Sequence, residues 1–454
     1  MTSVTLAVSE SIWAELHSWL EDPNEVAGIL TARVIDDDEG VTVLVRTIER
    51  ADGSAYLEQR PDGMRLRSSG WVPAVRRAGE VGEMAIFVHT HPGGYPHFST
   101  WDDQVDDDLV GPFLELTGAS LYGSLVIAGG DDPGYAARMR RRDGAPVEVT
   151  LIRVVGERLT MHRLDDKDHG TSEAHDRQLR ALGAAGQSVL RALRVGIVGT
   201  GGTGSPILEQ LVRLGVGEIV VIDDDEVTPS TVARGYGSGS VDIGRPKVDV
   251  AYDLAARIGL ATKVRPIHGN LRGQSVANEL RHCDVVFCCV DGHAARVVLN
   301  RWAYWHLAPV IDVAVLISST EGRIDGIDGR LTWLAPGAAC LLCRGRIDLR
   351  MAHVEHLDPE ERRRLAEQGY APDLEEPQPS VVTYTSLIAS LATTELLNRL
   401  FGLADATPTE ILVQLHESSI SLNRRAPRQG CFCGTATSWA QGVVEPYLDL
   451  TWTS

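Results

Sequence analysis

The sequence has no apolar run approaching the ~18 residues that a membrane-spanning helix requires, which excludes that class. It has no excess of positive charge either. Its 62 acidic and 43 basic residues leave a formal net charge of −19, which disfavours binding to nucleic acid or to an anionic membrane surface. Phosphate binding is not excluded, because backbone amides can hold phosphate locally whatever the global charge. Cysteine is scarce. Seven in 454 residues is an odd and small number. It argues for a reducing cytoplasm, with thiols as metal ligands or core residues instead of bridges. The N-terminus, Met1 to Thr5, lacks the basic-then-apolar pattern of a secretory signal. A composition of 43% hydrophobic and 23% charged residues is that of a globular chain, and the length suggests about three domains.

Residues 1–160 read as one mixed domain of helices and strands. Glu10 to Leu20 has helical apolar spacing, Val26–Val34 and Val41–Ile48 read as strands, and Met84–Val88 is a short apolar strand. Further strand-like runs fall at 121–128 and 147–155. Residues 161–176 are polar, lack periodicity and read as a linker. From 177 to 454 the pattern changes. Val195–Val198, Glu218–Ile222, Asp284–Val290 and Val310–Val313 are apolar strands separated by helical stretches. That alternation signals an α/β, mostly parallel sheet flanked by helices. The polar stretch 351–379 reads as a mobile excursion from the second domain.

Two constellations carry chemistry. The first is His89-Thr-His91-Pro, followed by Ser99-Thr-Trp-Asp102. Two histidines two residues apart on a strand point to one side. Ser99 is placed to cap the next helix, with Asp102 at its third position. Two imidazoles and one carboxylate leave an open fourth position on zinc for water. A general base is also needed. Glu25, at the start of an earlier strand, could sit beside the histidines, with Glu21 and Asp22 as neighbouring alternatives. The segment resembles the JAMM (JAB/MPN) metalloproteases, which cleave after the C-terminus of ubiquitin-like proteins. The resemblance covers roughly 1–160 and implies a JAB/MPN-like α+β domain. It implies His89, His91 and Asp102 as ligands of a catalytic zinc, Glu25 as the base and Ser99 as an oxyanion donor. His97 lies in the loop, is not required by the motif and reads as solvent-facing.

The second constellation begins at Val195-Gly-Ile-Val-Gly199-Thr-Gly201-Gly202-Thr-Gly204-Ser205, a strand running through a glycine loop into a helix. Such a turn can accept phosphate at the helix N-terminus. The next strand ends in Asp223-Asp224-Asp225, where an acidic residue meets a ribose hydroxyl. To this point an NAD or FAD oxidoreductase fits equally. Arg234, Lys247 and Asp291 tip the balance. A triphosphate attacked at its α-phosphorus needs cations on the developing charge and a carboxylate for Mg²⁺. The set resembles the ThiF/MoeB family, the bacterial relatives of ubiquitin-activating enzymes, over about 171–425. Those enzymes use Mg-ATP to adenylate the C-terminal glycine of a ubiquitin-like protein on a Rossmann-like fold. The resemblance implies that Gly199 to Ser205 hold phosphates, Asp223 the ribose, Arg234 and Lys247 the phosphates and Asp291 the Mg²⁺, with Asp225 a further nucleotide-site residue. It implies that Arg177 reaches the partner subunit's nucleotide site in a homodimer. The family's Ser-Asn-x-x-Arg run reads Ser230-Thr231-Val232-Ala233-Arg234 here, a hydroxyl in place of an amide. Asp224, Arg245 and Asp249 read as solvated charge.

Cys340-Leu-Leu-Cys343 and Cys431-Phe-Cys433 supply four thiolates in two close pairs, enough for one structural zinc. Cys283, Cys288 and Cys289 read as core packing. The reading is a fusion of a zinc peptidase with an adenylyltransferase. Its partner is a ubiquitin-like or sulfur-carrier protein ending in glycine, in a bacterial conjugation system or in sulfur transfer for cofactor or natural-product synthesis. A conjugating enzyme or a sulfurtransferase is the further partner. The stretch 344–380, where such enzymes carry a crossover over the nucleotide site, contains no cysteine. The enzyme is therefore expected to form an acyl-adenylate without a thioester of its own.

Overall fold

A computed structural model describes residues 4–130, 133–142, 144, 146–164, 173–357, 359–368, 379–405 and 407–442. The chain divides into two compact units. The first comprises the described residues of Met1–Lys167 together with those of Ala436–Val443, and the second holds the rest.

The first unit is built on a nine-stranded sheet. Its strands are β1 (Val4–Ser9), β2 (Ala27–Asp37), β3 (Gly40–Arg50), β6 (Met84–His91), β7 (Tyr122–Ala128), β8 (Gly134–Arg140), β9 (Val147–Glu148), β10 (Leu151–Val155) and β11 (Leu159–Arg163). A small hairpin, β4 (Tyr56–Arg60) and β5 (Gly63–Leu66), stands apart. The order across the large sheet is β11-β10-β1-β3-β2-β6-β7-β8-β9. Three helices accompany it: α1 (Glu10–Ser18), α2 (Val72–Glu80) and α3 (Thr100–Thr117). Strand alternation sorts the core into two layers. Leu30, Ile86 and Val88 pack with Leu16 of α1, whereas Ala27, Ile29, Ala85 and Phe87 pack with Ala74, Val75 and Phe113 of α2 and α3.

Polar side chains fasten α3 to this sheet. Asp106 is buried and accepts hydrogen bonds from Tyr122 Oη (2.6 Å), Ser124 Oγ (2.7 Å) and Arg138 Nε (2.8 Å). Arg138 also reaches Asp103, at 2.7 Å. A buried carboxylate with three donors is stable only in one placement, so the first turns of α3 are fixed in position.

The sequence reading ended the first domain at 160, but β11 runs to Arg163. Residues 165–172 of the expected linker lie outside the described residues. A larger difference concerns 436–442, which the sequence assigns to the C-terminal domain. These residues pack in the first unit. Arg46 donates to the carbonyls of Trp439 (2.9 Å) and Thr437 (3.0 Å), and it also pairs with buried Glu83 at 2.7 Å. Truncation after Thr435 is expected to cost the first unit about 3 kcal/mol, since two charge-assisted hydrogen bonds are lost at about 1.5 kcal/mol each. Hydrogen exchange of the β2 and β3 amides, compared with the full chain, measures it. Unchanged exchange would refute the attachment.

The second unit carries an eight-stranded sheet in the order β14-β13-β12-β15-β16-β17-β18-β19. Its strands are β12 (Arg194–Val198), β13 (Glu218–Asp223), β14 (Lys263–His268), β15 (Val285–Cys288), β16 (Val310–Thr320), β17 (Arg323–Leu334), β18 (Glu410–Gln414) and β19 (Ser419–Asn423). The first five are parallel and the last three continue as an antiparallel meander. The helices are α4 (Asp176–Ala192), α5 (Gly204–Leu214), α6 (Pro229–Val232), α7 (Lys247–Ile258), α8 (Gln274–Asn278), α9 (His293–Trp305), α10 (Leu349–His356), α11 (Pro359–Glu367) and α12 (Val382–Phe401). Two of these, α10 and α11, occupy part of the stretch read as a mobile excursion, whose residues 369–378 lie outside the described set. Among the described residues, no helix is long and apolar enough to cross a membrane.

Candidate functional site

In the first unit, His89 and His91 end β6 and continue the parity of Ala85 and Phe87, so they face the α2–α3 side. The helix opposite begins at Ser99, which is its N-cap as the sequence predicts. A reciprocal capping box forms: Asp102 N donates to Ser99 Oγ (3.2 Å) and Ser99 N to Asp102 Oδ2 (2.6 Å). The Ser99 hydroxyl also donates to Oδ2, at 2.7 Å. The other carboxylate oxygen, Oδ1, lies 3.0 Å from His89 Nε2. His91 Nε2 is 3.0 Å from His89 Nε2 and 3.6 Å from Asp102 Oδ2.

Tetrahedral ligands about 2.0–2.1 Å from zinc stand roughly 3.3 Å apart, so these spacings fit a single ion. His91 Nδ1 bonds the Tyr95 carbonyl (2.8 Å), an outer partner that fixes the ring and turns Nε2 to the centre. Burial opposes ionisation of Asp102, but His89 and Ser99 hold its carboxyl well below the usual carboxylate range. Burial, followed by His89, lowers His91 as well.

Glu25 lies two residues before β2, in which Ala27 pairs with His89. Its backbone is held by Arg60 O, which accepts from Glu25 N (2.9 Å), and by Gln59 Nε2, which donates to Glu25 O (2.9 Å). The carboxyl is raised to about 7, chiefly by burial, against the attraction of His89 and with repulsion from Asp102. A neutral-range carboxyl beside the ligand triad suits a general base. Of the alternatives, Asp22 pairs with Arg50, at 2.8 Å, and Glu21 is exposed. His97 is exposed.

The second unit has a cleft of about 450 Å³ lined by Gly199, Gly201 and Gly202, by Asp223, Asp224 and Asp225, and by Arg234, Lys247 and Asp291. Gly199 turns β12 into the loop at φ 88°, and a Cβ there would come within 2.8 Å of the Cys289 carbonyl. Two loop residues differ from expectation. Gly204 packs inward, where a Cβ would strike Gly199 O at 1.8 Å. The Ser205 hydroxyl donates to Gly201 O (2.8 Å) and accepts from Tyr236 N (2.9 Å). Neither Gly204 nor Ser205 lines the cleft, so both shape the glycine loop from behind.

Asp223 Oδ2 is bound by Thr200 N (2.6 Å) and Thr200 Oγ1 (2.9 Å), so this residue closes the loop in addition to facing the cleft. Lys247 Nζ is 2.5 Å from Asp225 Oδ2 and 4.0 Å from Asp223 Oδ1. Asp225 is thus the counter-ion of Lys247. Asp224, expected to be solvated, lines the cleft with Asn270 bonded to it at 2.5 Å. Arg177 is exposed near the start of α4 and does not line the cleft of its own chain.

Sequence reasoning missed several lining residues. Arg296 is buried. It donates to the carbonyls of Asp291 (3.0 Å) and Val290 (2.6 Å) and to Asp312 Oδ1 (3.1 Å), and so holds the peptide that carries Asp291. Glu355 of α10 accepts from His293 N (2.9 Å) and Ala294 N (2.7 Å), capping α9. Arg362 of α11 also lines the cleft. Arg296 lies five positions past Asp291, a spacing that could have flagged it; no local pattern marks the other two. Cys283 and Cys288 are buried as expected, but Cys289 is half-buried and lines the cleft, because it lies past the end of β15.

The four remaining cysteines converge. Cys340 Sγ is 3.7 Å from Cys431 Sγ, and Cys343 Sγ is 3.6 Å from Cys433 Sγ. Zinc with Zn–S near 2.3 Å sets its sulfurs about 3.8 Å apart, so the cluster fits one ion. Hydrogen bonding by the Cys433 thiol holds Cys340 well below the ordinary thiol range.

Residues 9–142 match the family of prokaryotic homologs of the JAB domain, and residues 175–433 match the ThiF family. The SAMP-activating enzyme E1 of Haloferax volcanii is 30% identical over 162 residues, covering 36% of this chain and 57% of that protein. The molybdopterin-synthase adenylyltransferase of Salmonella typhimurium is 30% identical over 146 residues, covering 32% of this chain and 58% of that protein. The chain thus spans little more than half the length of these curated relatives. A crystal structure of E. coli MccB with ATP is 16% identical, with a TM-score of 0.46 over 58% of this chain and 75% of that one. A glycine-loop α/β unit with a four-cysteine cluster, preceded by a JAB-type unit, is the class of protein that fold and sites define. The ThiF match spans more than half of the chain, and the chain belongs to the ThiF family.

Proposed function

We propose that the second unit adenylates the C-terminal glycine of a ubiquitin-like or sulfur-carrier protein, and that the first cleaves the peptide or isopeptide bond after that glycine. The observation that carries this reading is the cleft. There a phosphate loop, Asp223, Arg234, Lys247 and Asp291 face one volume within a ThiF-family unit. Two relatives named as an activating enzyme and an adenylyltransferase support it.

In the adenylation, a carboxylate oxygen of the terminal glycine attacks the α-phosphorus of ATP. The bond to the bridging oxygen breaks and pyrophosphate leaves. Asp291 would hold Mg²⁺, which when bound neutralises phosphate charge. Arg234 and Lys247 offset the charge that develops, Lys247 exchanging Asp225 for phosphate. Arg177 would complete a partner subunit's site in a homodimer.

In the peptidase, His89, His91 and Asp102 would hold zinc, which when bound polarises the scissile carbonyl and acidifies water. Glu25 takes a proton from the attacking water and delivers it to the departing nitrogen as the C–N bond breaks. The Ser99 hydroxyl, turned from Asp102, would donate to the oxyanion. A second zinc in the four-cysteine cluster would be structural.

Cleavage frees the carboxylate that adenylation consumes, so one chain could process a precursor and then activate it. The acyl-adenylate passes to an external nucleophile, such as the thiol of a conjugating enzyme, the persulfide of a sulfurtransferase or an amine. Cys289 is the sole cysteine among the described residues lining the cleft, and burial pushes its thiol up to about 12. Cys288 is raised too, by burial and by Asp312. A thiol held protonated is a poor acceptor. Thiols kept for metals fit a cytoplasmic setting.

The test is ATP–pyrophosphate exchange with the cognate carrier. Asp291→Ala and Lys247→Ala are expected to lower it about 10²-fold or more. A non-reducing gel of the wild-type reaction is expected to lack a thiol-sensitive adduct. A tightly bound flavin, or exchange unaffected by Asp291→Ala, would overturn the reading.

A further inference from the structure

Among the described residues, five cations line the cleft: Arg234, Lys247, Arg272, Arg296 and Arg362. Three are engaged. Lys247 pairs with Asp225. Arg272 bonds Asn270 Oδ1 (2.9 Å) and the Glu355 carbonyl. Arg296 holds Asp312 and two carbonyls. The side chains of Arg234 and Arg362 have no hydrogen-bond or ion-pair partner among the described residues, and Arg362 Nε is buried without an acceptor. Arg234 has its role in the adenylation already; Arg362 has none.

Helical geometry singles Arg362 out. It lies on α11 in a run of three arginines, but Arg363 and Arg364 are exposed, and Arg364 faces Glu361 at 3.9 Å. Arg362 is half-buried, and a guanidinium nitrogen buried without an acceptor is unfavourable, a penalty that an anion entering the cleft would relieve. Its place in the chain says which end of the ligand it meets. Helix α11 starts three residues after His356, the last residue of α10. Glu355 of α10 is bonded to the first amides of α9, directly after Asp291. The α10–α11 segment is therefore anchored at the Mg²⁺ end of the cleft.

We propose that Arg362 contacts the phosphates of the nucleotide and holds the departing pyrophosphate, a cation delivered to the adenylation site by the crossover segment. The proposal rests on the adenylation reading. As the bond between the α-phosphorus and the bridging oxygen breaks, its electron pair goes to pyrophosphate. The guanidinium lowers the energy of that charge without exchanging a proton. Arginine suits the task, since its planar fork can bind two phosphate oxygens at once.

The experiment compares wild type, Arg362→Ala, Arg362→Lys and Arg363→Ala in two measurements: calorimetric binding of inorganic pyrophosphate with Mg²⁺, and ATP–pyrophosphate exchange. Arg362→Ala is expected to weaken pyrophosphate binding about 10-fold and to slow exchange about 10²-fold. Arg362→Lys is expected to recover part of both, and Arg363→Ala to match wild type. Should Arg362→Ala not fold, Arg362→Gln, which keeps the length and removes the charge, carries the same expectation. Wild-type pyrophosphate affinity in the charge-removing variant would overturn the proposal, as would an equal loss in Arg363→Ala. Absence of exchange in the wild type would fail the adenylation reading, and the pyrophosphate titration would still decide on Arg362.

Discussion

Replacing Glu25 by glutamine is expected to lower peptide-bond cleavage by about 10²–10⁴-fold while zinc stays bound to the first unit. The expected ligand atoms are His89 Nε2, His91 Nε2 and one Asp102 oxygen, and Glu25 is not among them. Glutamine keeps the side-chain length and can still accept a hydrogen bond, but it takes no proton at neutral pH. His89→Ala is the contrasting variant. It removes a ligand, so both zinc and cleavage are expected to vanish, with ATP–pyrophosphate exchange unchanged. Metal analysis beside a cleavage assay separates the two. Cleavage by Glu25→Gln at the wild-type rate would mean that another group is the base.

The other large effect is expected at the four-cysteine cluster. Cys343→Ala leaves three thiols, and zinc content is expected to fall from two ions per chain to one. Binding of a structural zinc can contribute on the order of 10 kcal/mol of folding free energy, more than most domains have in reserve. The loss is expected to reach well beyond the cysteines. Asn300 Oδ1 accepts from Leu341 N (2.7 Å) inside the Cys340–Cys343 turn, and Arg428 N donates to Cys343 Sγ (3.3 Å). Asn300 belongs to α9, the helix whose Arg296 holds the peptide of Asp291. A melting curve and a zinc assay on Cys343→Ala and wild type provide the check. An unchanged melting temperature with two zinc ions retained would rule out a structural metal there.

The motifs that were legible in the sequence are those in which chemistry is local. The period-2 placement of His89 and His91 and the Ser99–Asp102 cap depend on residues within one turn or strand, and the structure has both. Strand β14, which carries Lys263, Arg265 and Pro266 and is at best half-buried, escapes such a reading, whereas the parallel strands β12, β13, β15 and β16 were readable because each contains a short apolar run buried on both faces. The meander was not. Strand β17 carries Arg323, Asp325, Asp328 and Arg330 among its twelve residues, so it lacks the apolar run that marked its neighbours. Side-chain direction was equally hidden. Spacing could nominate Ser205 for phosphate, but only the fold turns its hydroxyl back to Gly201. Asp225 was nominated for the nucleotide, and only the approach of α7 gives it Lys247. Arg362 lay in a polar stretch with no visible periodicity, where nothing local says which of three arginines faces inward.

The attachment of residues 437–439 to Arg46 has a consequence for the order of synthesis. Arg46 and the carbonyl it binds are separated by 393 positions. At about 5–20 residues per second, a ribosome needs roughly 20–80 s to travel between them. Through that interval the nascent N-terminal sheet has Arg46 and the Glu83 pair without their last partners. The domain made first is therefore finished last, when the ThiF-type unit has already left the ribosome. Completion of the first unit is thereby tied to synthesis of the second and cannot precede it.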